Sequence, residues 1–191
     1  MKYIYIPKSV ICLNGNPFVC WDGKLECLSP NFIYEDGVLF DKDKSEIISF
    51  RNQKIKSYII PDSVTNIGER AFELCRSLSE VIIPSSVTSI GRSAFGGCDS
   101  LRSVVIPDSV ASIGDWAFWS CGSLSKIVIP SSVTSIGRSA FEGCNSLRSV
   151  VIPDSVTSIG DSAFGSWALS RCKFPDNLKQ ELISRFGDKI F

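Results

Sequence analysis

The chain has 191 residues, a length typical of a single folded domain with a proper core. Its 20 Lys and Arg residues balance 20 Asp and Glu residues, so no net field favours nucleic acid or an anionic membrane as a partner. It has no histidine, which excludes Ser-His-Asp and Cys-His catalysis and removes the commonest metal ligand. An enzyme would have to use carboxylates or lysine, and no such cluster is found. We expect a non-enzymatic protein with no catalytic residue, cofactor or metal.

The N-terminus gives no sign of export or membrane insertion. Its short apolar stretch is interrupted by Pro7 and Lys8, and no small-residue cleavage site follows. No window approaches the roughly 20 apolar residues of a membrane-spanning helix. We therefore expect no membrane insertion, and either a cytoplasmic protein or a chain trimmed of its leader.

Residues 1–30 are predicted to form an N-terminal cap or degenerate repeat. Ile6-Pro-Lys-Ser-Val10 resembles a motif that recurs later in the chain, and so does Asn16-Pro-Phe18. The cysteines of this segment allow one disulfide bridge, but their spacing does not require it. They are Cys12, Cys20 and Cys27.

Residues 31–57 are predicted to be a longer, modified repeat that contains a β-hairpin. Asp36-Gly37 is a strong hairpin-turn signal inside alternating apolar sequence, which predicts a small meander from Phe32 to Phe50. The run from Asp41 to Glu46 faintly resembles a calcium loop. It lacks the glycine and the final glutamate of that motif, so we expect a solvated turn.

Residues 58–175 repeat nearly the same sequence every 23 residues. A unit this short cannot bury its own apolar side chains, so the copies are expected to stack as coils of a solenoid. Strands of adjacent coils should pair in parallel, about 4.8 Å apart. One proline recurs at the same position of each repeat: Pro61, Pro84, Pro107, Pro130 and Pro153.

Each coil is predicted to contain a short strand, a second short extended run and a single helical turn. A glycine such as Gly114 recurs in every regular coil, which suggests a backbone angle that other residues adopt at a cost. Cysteines at one repeat position should form an internal column of reduced, buried thiols. These cysteines are Cys75, Cys98, Cys121 and Cys144. In the coil that begins at Leu101, the inward residues are expected to be Leu101, Val104, Ile106, Val110, Ile113, Ala117 and Phe118.

The predicted fold class is a β-rich repeat solenoid, with a parallel sheet on one face and short or helical turns on the other. Residues 176–191 should form a C-terminal cap, with a helix that begins at Asn177 and ends at Gly187.

Residues 82–104 and 128–150 differ at only three positions, so the duplicated unit spans two coils. The side-chain charge of the residue after the recurring glycine alternates in sign from one coil to the next. This alternation avoids stacking like charges on each other.

Two sets of residues are candidates for partner binding. The outward position of the first strand should form an exposed aliphatic row, either a surface for a partner or a second copy, or a consequence of β-propensity alone. The row consists of Ile59, Ile82, Val105, Val128 and Val151. Trp116 and Trp119 replace polar residues of other coils, so they should face outwards as a binding platform or pack between the turns.

The repeat resembles the BspA-like leucine-rich repeat family, of the Treponema pallidum type. The resemblance lies in VTSIGRSAF, the Cys-x-Ser-Leu step, the IPDSV strand end and the longer repeat from Asn31. It implies a leucine-rich repeat solenoid that acts as a binding module at the cell surface, with a host matrix protein, another protein or a glycan as partner. The alternative is an intracellular structural or assembly protein that uses the same surface, and a homodimer is open in either case.

Overall fold

In the computed structural model, the described part of the chain is a β-solenoid in which each 23-residue repeat forms one coil. The predicted capping helix and Trp167 lie outside the described residues, apart from isolated positions in the helix, so the helix stays a prediction. The structure describes residues 2–165, 172–174, 176, 180 and 184.

The strands are short, mostly two to five residues, and each regular coil contributes two of them. In chain order they are β1 (Tyr3–Ile6), β2 (Lys24–Cys27), β3 (Phe32–Glu35), β4 (Val38–Asp41), β5 (Glu46–Phe50), β6 (Ser57–Ile59), β7 (Asn66–Ile67), β8 (Glu80–Ile82), β9 (Ser89–Ile90), β10 (Ser103–Val105), β11 (Ser112–Ile113), β12 (Lys126–Val128), β13 (Ser135–Ile136), β14 (Val150–Val151), β15 (Ser158–Ile159) and β16 (Cys172–Lys173).

Two parallel ladders run along the solenoid. The first strand of each coil forms the sheet β12-β10-β8-β6, and β14 pairs with β16. The second strand forms a longer sheet, β15-β13-β11-β9-β7-β5-β4-β3. The register advances by one repeat at each step, as in the pairing of Ser103 with Lys126. The predicted parallel solenoid is confirmed, but it has two sheets rather than one.

The meander predicted between Phe32 and Phe50 is confirmed. β3 and β4 pair antiparallel with Glu35 opposite Val38, so that only Asp36 and Gly37 form the turn. Both turn residues have positive φ, 49° and 79°, which suits the right-handed twist of a two-residue hairpin. β5 then pairs antiparallel with β4 and in parallel with β7, which joins the meander to the second sheet.

The predicted helical turn is instead a series of tight, non-helical turns. Trp116 and Ser120 both have φ of 54°, which is incompatible with a right-handed helix. The amide of Trp116 donates to the carbonyl of Arg138 in the next coil at 2.8 Å, and Phe118 donates likewise to Ala140 at 2.8 Å. Alternate amides therefore form a third ladder between coils. We call this third side of the solenoid the turn column.

The core consists of apolar columns that extend through successive coils. The phenylalanine rings stack, with Phe95 and Phe118 centroids 5.2 Å apart and planes within 5°. Each fully buried large side chain contributes roughly 1.5 to 3 kcal/mol, so the columns dominate stability. All seven inward residues predicted for one coil are buried: Leu101, Val104, Ile106, Val110, Ile113, Ala117 and Phe118.

The recurring glycines are required by close approach of the backbone, not by an unusual φ. None of the five has φ in the left-handed region, so the prediction about their backbone angle was wrong. A Cβ at any of them would lie within 3 Å of atoms of the preceding coil, mostly backbone. The coils therefore touch at this column: Gly68, Gly91, Gly114, Gly137 and Gly160.

The cysteine column is buried and reduced, as predicted. Each thiol donates to the carbonyl of a phenylalanine in the preceding coil, as Cys98 does to Phe72 at 3.1 Å. Burial raises the pKa of the Cys75 and Cys144 thiols from 9.0 to about 12. In the N-terminal segment, Cys12, Cys20 and Cys27 are free.

The N-terminal segment adds one more pair of parallel strands, β1 and β2, and shares a second, small apolar core with the meander. Arg51 joins this segment to the meander. Its guanidinium donates to the carbonyls of Trp21 at 3.1 Å and Gly23 at 2.7 Å, and it lies 4.7 Å from the Trp21 ring centroid. Desolvation by burial lowers its pKa. Arg51 thus combines charged hydrogen bonds with cation–π contacts at the junction.

Candidate binding surface

The aliphatic row lies on the outer face of the first sheet. Val105 projects outwards because its neighbours Val104 and Ile106 are both buried and side chains alternate along a strand. The exposed fraction is 63% to 66% in alternate coils and 42% to 49% in the two between them. The predicted exposure is confirmed for all five members, Ile59, Ile82, Val105, Val128 and Val151.

The members of the row are direct neighbours across the ladder. Ile59 pairs with Ile82, and Val105 pairs with Val128. Four of the row residues lie in one sheet, and Val151 lies on β14, which is beside β12 but pairs with β16. At about 4.8 Å per strand, the five positions make an apolar stripe roughly 19 Å long. Exposed polar side chains precede it, such as Ser57, whose hydroxyl donates to Glu80 at 3.1 Å. An apolar centre with a polar margin is the usual composition of a protein–protein contact.

Trp116 is held between two arginines in the turn column. The guanidinium carbons of Arg92 and Arg138 lie 4.8 Å and 5.4 Å from its ring centroid. These arginines belong to the preceding and following coils, so the indole is packed between turns and is only partly exposed. The sequence predicts that the charges at positions 92 and 138 avoid like-charge stacking, and the structure shows that both arginines also stack on Trp116. The sequence signal for this stack is a tryptophan one coil away from each of two arginines.

Trp119 is the more accessible tryptophan, with 40% of its surface exposed. The equivalent positions in the adjacent coils are Gly96 and Glu142, so one side of the indole has no side chain beside it. Trp116 and Trp119 both lie in the turn column, whereas the row lies on the first sheet. The structure therefore separates the predicted binding residues into two surfaces.

The faint calcium motif is a closed turn. The Asp41 carboxylate accepts hydrogen bonds from the Ser45 amide at 2.7 Å, the Ser45 hydroxyl at 2.6 Å and the Glu46 amide at 2.8 Å. Its oxygens are thus committed to the turn, as in many Asp-initiated turns. Within the described residues, no three His, Cys, Asp or Glu side chains converge in a way that fits a metal ion. The same part of the chain contains no helix long and apolar enough to span a membrane.

Comparison with known proteins identifies the family. The model of the BspA type leucine-rich repeat region matches residues 46–169 in six copies. The chain belongs to this family. The match covers both the regular coils and the last strand of the meander, in agreement with the continuous second sheet. No curated protein matches the chain.

Solved structures show the same fold. The chain is similar to the leucine-rich repeat protein of T. pallidum, with 36% identity and a TM-score of 0.62 over 72% of this chain and 65% of that one. It is also similar to a leucine-rich cell surface protein of Faecalibacterium prausnitzii, with 28% identity and a TM-score of 0.60 over 84% of this chain and 48% of that one. The pneumococcal vaccine antigen PcpA shares the fold at 23% identity, with a TM-score of 0.71 over 87% of this chain and 44% of that one. The chain thus spans about half to two thirds of these proteins.

Proposed function

We propose that this chain is a non-enzymatic binding module that presents the aliphatic row to a protein partner. The observation that carries the proposal is the continuity of the row: five branched side chains in neighbouring strands, each at least 42% exposed. Contiguous exposed apolar surface favours association, because binding removes it from water. Scattered exposure caused by β-propensity alone would have no such effect.

The supporting structure is rigid, as a binding surface requires. Every row residue lies on a strand whose flanking side chains are fixed in the core, so little conformational entropy is lost when a partner docks. The family resemblance is to repeat scaffolds, and one similar protein is a leucine-rich cell surface protein of Faecalibacterium prausnitzii. We propose the same setting for this chain, with association with a protein partner as the role of the row.

The test is a paired lysine substitution in the row. We expect Val105→Lys with Val128→Lys to abolish binding to any protein found by screening a panel of purified extracellular matrix proteins. The matched control is Ser112→Lys with Ser158→Lys, which places the same charge at exposed strand positions of the second sheet. Circular dichroism checks that both variants fold. Binding that survives the row substitutions would refute the proposal.

A second candidate is glycan binding at Trp119. An exposed indole with an open side, next to the glycine at position 96, suits stacking against a sugar ring. Trp119→Glu restores the residue that the equivalent position has in the next coil, so it should fold normally. We expect this variant to lose any signal on a glycan array, and Trp116→Ser, which disturbs the neighbouring stack, to keep it.

A further inference from the structure

The face that carries the aliphatic row has one basic edge and one acidic edge. We call the coils that contain Ile59, Val105 and Val151 the odd coils, and those between them the even coils. Three residues before each odd row residue stands a cation, and three residues after it stands an aspartate. The basic edge is Lys56, Arg102 and Arg148, and the acidic edge is Asp62, Asp108 and Asp154. The even coils have serine at all these positions: Ser79, Ser85, Ser125 and Ser131.

The charged side chains of both edges are exposed to solvent and could form ion pairs with a partner. All six side chains are solvent-exposed. None of them forms an ion pair with any residue that the structure describes. The ion pairs observed nearby use other residues, as between Arg76 and Asp99 at 3.4 Å. Six charges flanking an apolar stripe therefore have no ion-pair partner among the residues that the structure describes.

The arrangement is symmetric about the row. In the coil of Val105, Arg102 precedes the row by three residues and Asp108 follows it by three. Arg102 comes just before β10, and Asp108 lies in the turn after it. At no more than about 3.3 Å per residue, each edge lies within roughly 10 Å of the row. A two-fold rotation about an axis along the row turns the face over and exchanges its two edges. It would place the basic edge of one copy opposite the acidic edge of the other.

We propose that the partner of the aliphatic row is a second copy of this chain, related by a two-fold axis parallel to the row. This inference rests on the proposed function, because it names the partner of the same surface. In this dimer the two rows pack on each other, and Arg102 of one copy meets Asp108 of the other. Lys56 meets Asp62 and Arg148 meets Asp154 in the same way. A two-fold axis perpendicular to the row within the interface would instead set like charges together.

The serines of the even coils fix the register. If one copy slips along the row by one coil, each charge faces a serine and every ion pair is lost. If every coil carried the charges, a slipped arrangement would retain nearly all of its pairs and could propagate as an open filament. The two-coil period therefore favours a closed dimer over a filament.

The size of the face sets the expected strength. An area of roughly 20 by 24 Å on each copy buries on the order of 1,000 Å² in total, which lies at the lower limit for a specific interface. We therefore expect a dimer with a dissociation constant in the range of about 10 to 100 μM. Sedimentation velocity on the full chain from about 2 to 500 μM covers this range. Because the edges are exposed, the affinity should fall as salt rises.

Charge exchange gives a specific test. The first variant combines Asp108→Arg with Asp154→Arg, and the second combines Arg102→Asp with Arg148→Asp. In a homodimer of either variant, like charges face each other across both edges, so we expect at least tenfold weaker association. In a mixture of the two, every altered edge again meets its opposite charge. We expect the mixture to form a heterodimer with an affinity close to that of the unmodified chain.

The outcomes separate this inference from the proposed function. Dimerisation that is lost in each variant, restored by mixing and abolished by Val105→Lys with Val128→Lys supports the two-fold dimer. A chain that stays monomeric to about 500 μM, or a dimer that ignores the charge changes, overturns it. If the chain is monomeric but the row substitutions still abolish binding to a foreign protein, the proposed function stands and only the dimer fails. If dimerisation occurs but the row substitutions leave it unchanged, the dimer uses another surface and this inference is wrong.

Discussion

A Cβ added to Gly114 would lie 2.7 Å from the carbonyl carbon of Gly91, one coil earlier. That separation is shorter than real Cβ contacts, so the two backbones can approach this closely only because Gly114 lacks a side chain. The same contact recurs along the solenoid and sets the spacing between successive coils at this position. The glycine column is therefore a packing element, with a consequence that can be measured.

We expect Gly114→Ala to lower the free energy of unfolding by about 2 to 3 kcal/mol, because the new methyl group must displace backbone rather than a flexible side chain. Urea denaturation measures the change. Gly122→Ala is the matched control in the same coil, since nothing lies within 4 Å of its added Cβ. Equal losses for the two variants would contradict the close-approach explanation.

The buried thiols predict a loss of stability at alkaline pH. Burial raises the pKa of Cys75 and Cys144 to about 12, whereas the ordinary thiol value is 9.0. The stabilisation is complete below pH 9, because both states then hold the proton. The stabilisation is lost between pH 9 and pH 12, because in this range the thiol releases its proton in the unfolded chain but keeps it in the folded protein. Each thiol should account for about 1.4 kcal/mol by pH 10.

Thermal unfolding between pH 8 and pH 10 checks this expectation. Cys144→Ala should reduce the pH dependence of the stability by the contribution of one thiol. It should also lower the stability at every pH, because the smaller side chain packs less well. Val133→Ala is the matched control, because it shortens a buried side chain that has no ionisable group, and it should leave the pH dependence unchanged. A pH profile that is the same for both variants would show that the column does not control alkaline stability.

Arg51→Lys should weaken the attachment of the N-terminal segment. Lysine keeps the charge but cannot reach the Trp21 and Gly23 carbonyls in the same planar arrangement, and it loses much of the stacking on Trp21. We expect a cost of about 1 to 3 kcal/mol, with faster amide exchange in β1 and β2. Arg148→Lys, at an exposed site that forms no ion pair with the described residues, should have no measurable effect. Amide hydrogen exchange that becomes faster by the same factor in all coils would argue against a local role of Arg51 in attaching the N-terminal segment.

The two tryptophans should respond differently to substitution. Trp116→Ser restores the residue found in the adjacent coils, where Ser93 and Ser139 have similar φ of 51° and 50°, so backbone strain is unchanged. It removes the contacts with Arg92 and Arg138, and we expect a loss of about 1 to 2 kcal/mol. Trp119→Glu should change stability by less than about 0.5 kcal/mol, because the side chain is exposed. Chemical denaturation followed by circular dichroism distinguishes the two.

The sequence by itself determined the solenoid, its inward residues, the hairpin at Asp36-Gly37 and the exposure of the row. These follow from periodicity, because an apolar position that recurs every 23 residues can be buried only by stacking copies. The tertiary structure alone decided the role of Gly114, the non-helical turn at Trp116 and the separation of the tryptophans from the row. Each of these three features depends on which atoms of adjacent coils are in contact. The distances between those atoms cannot be read from the order of residues in the sequence. The charged positions are present in the repeat, but only the fold shows that they are exposed on the two sides of the strand that carries Val105.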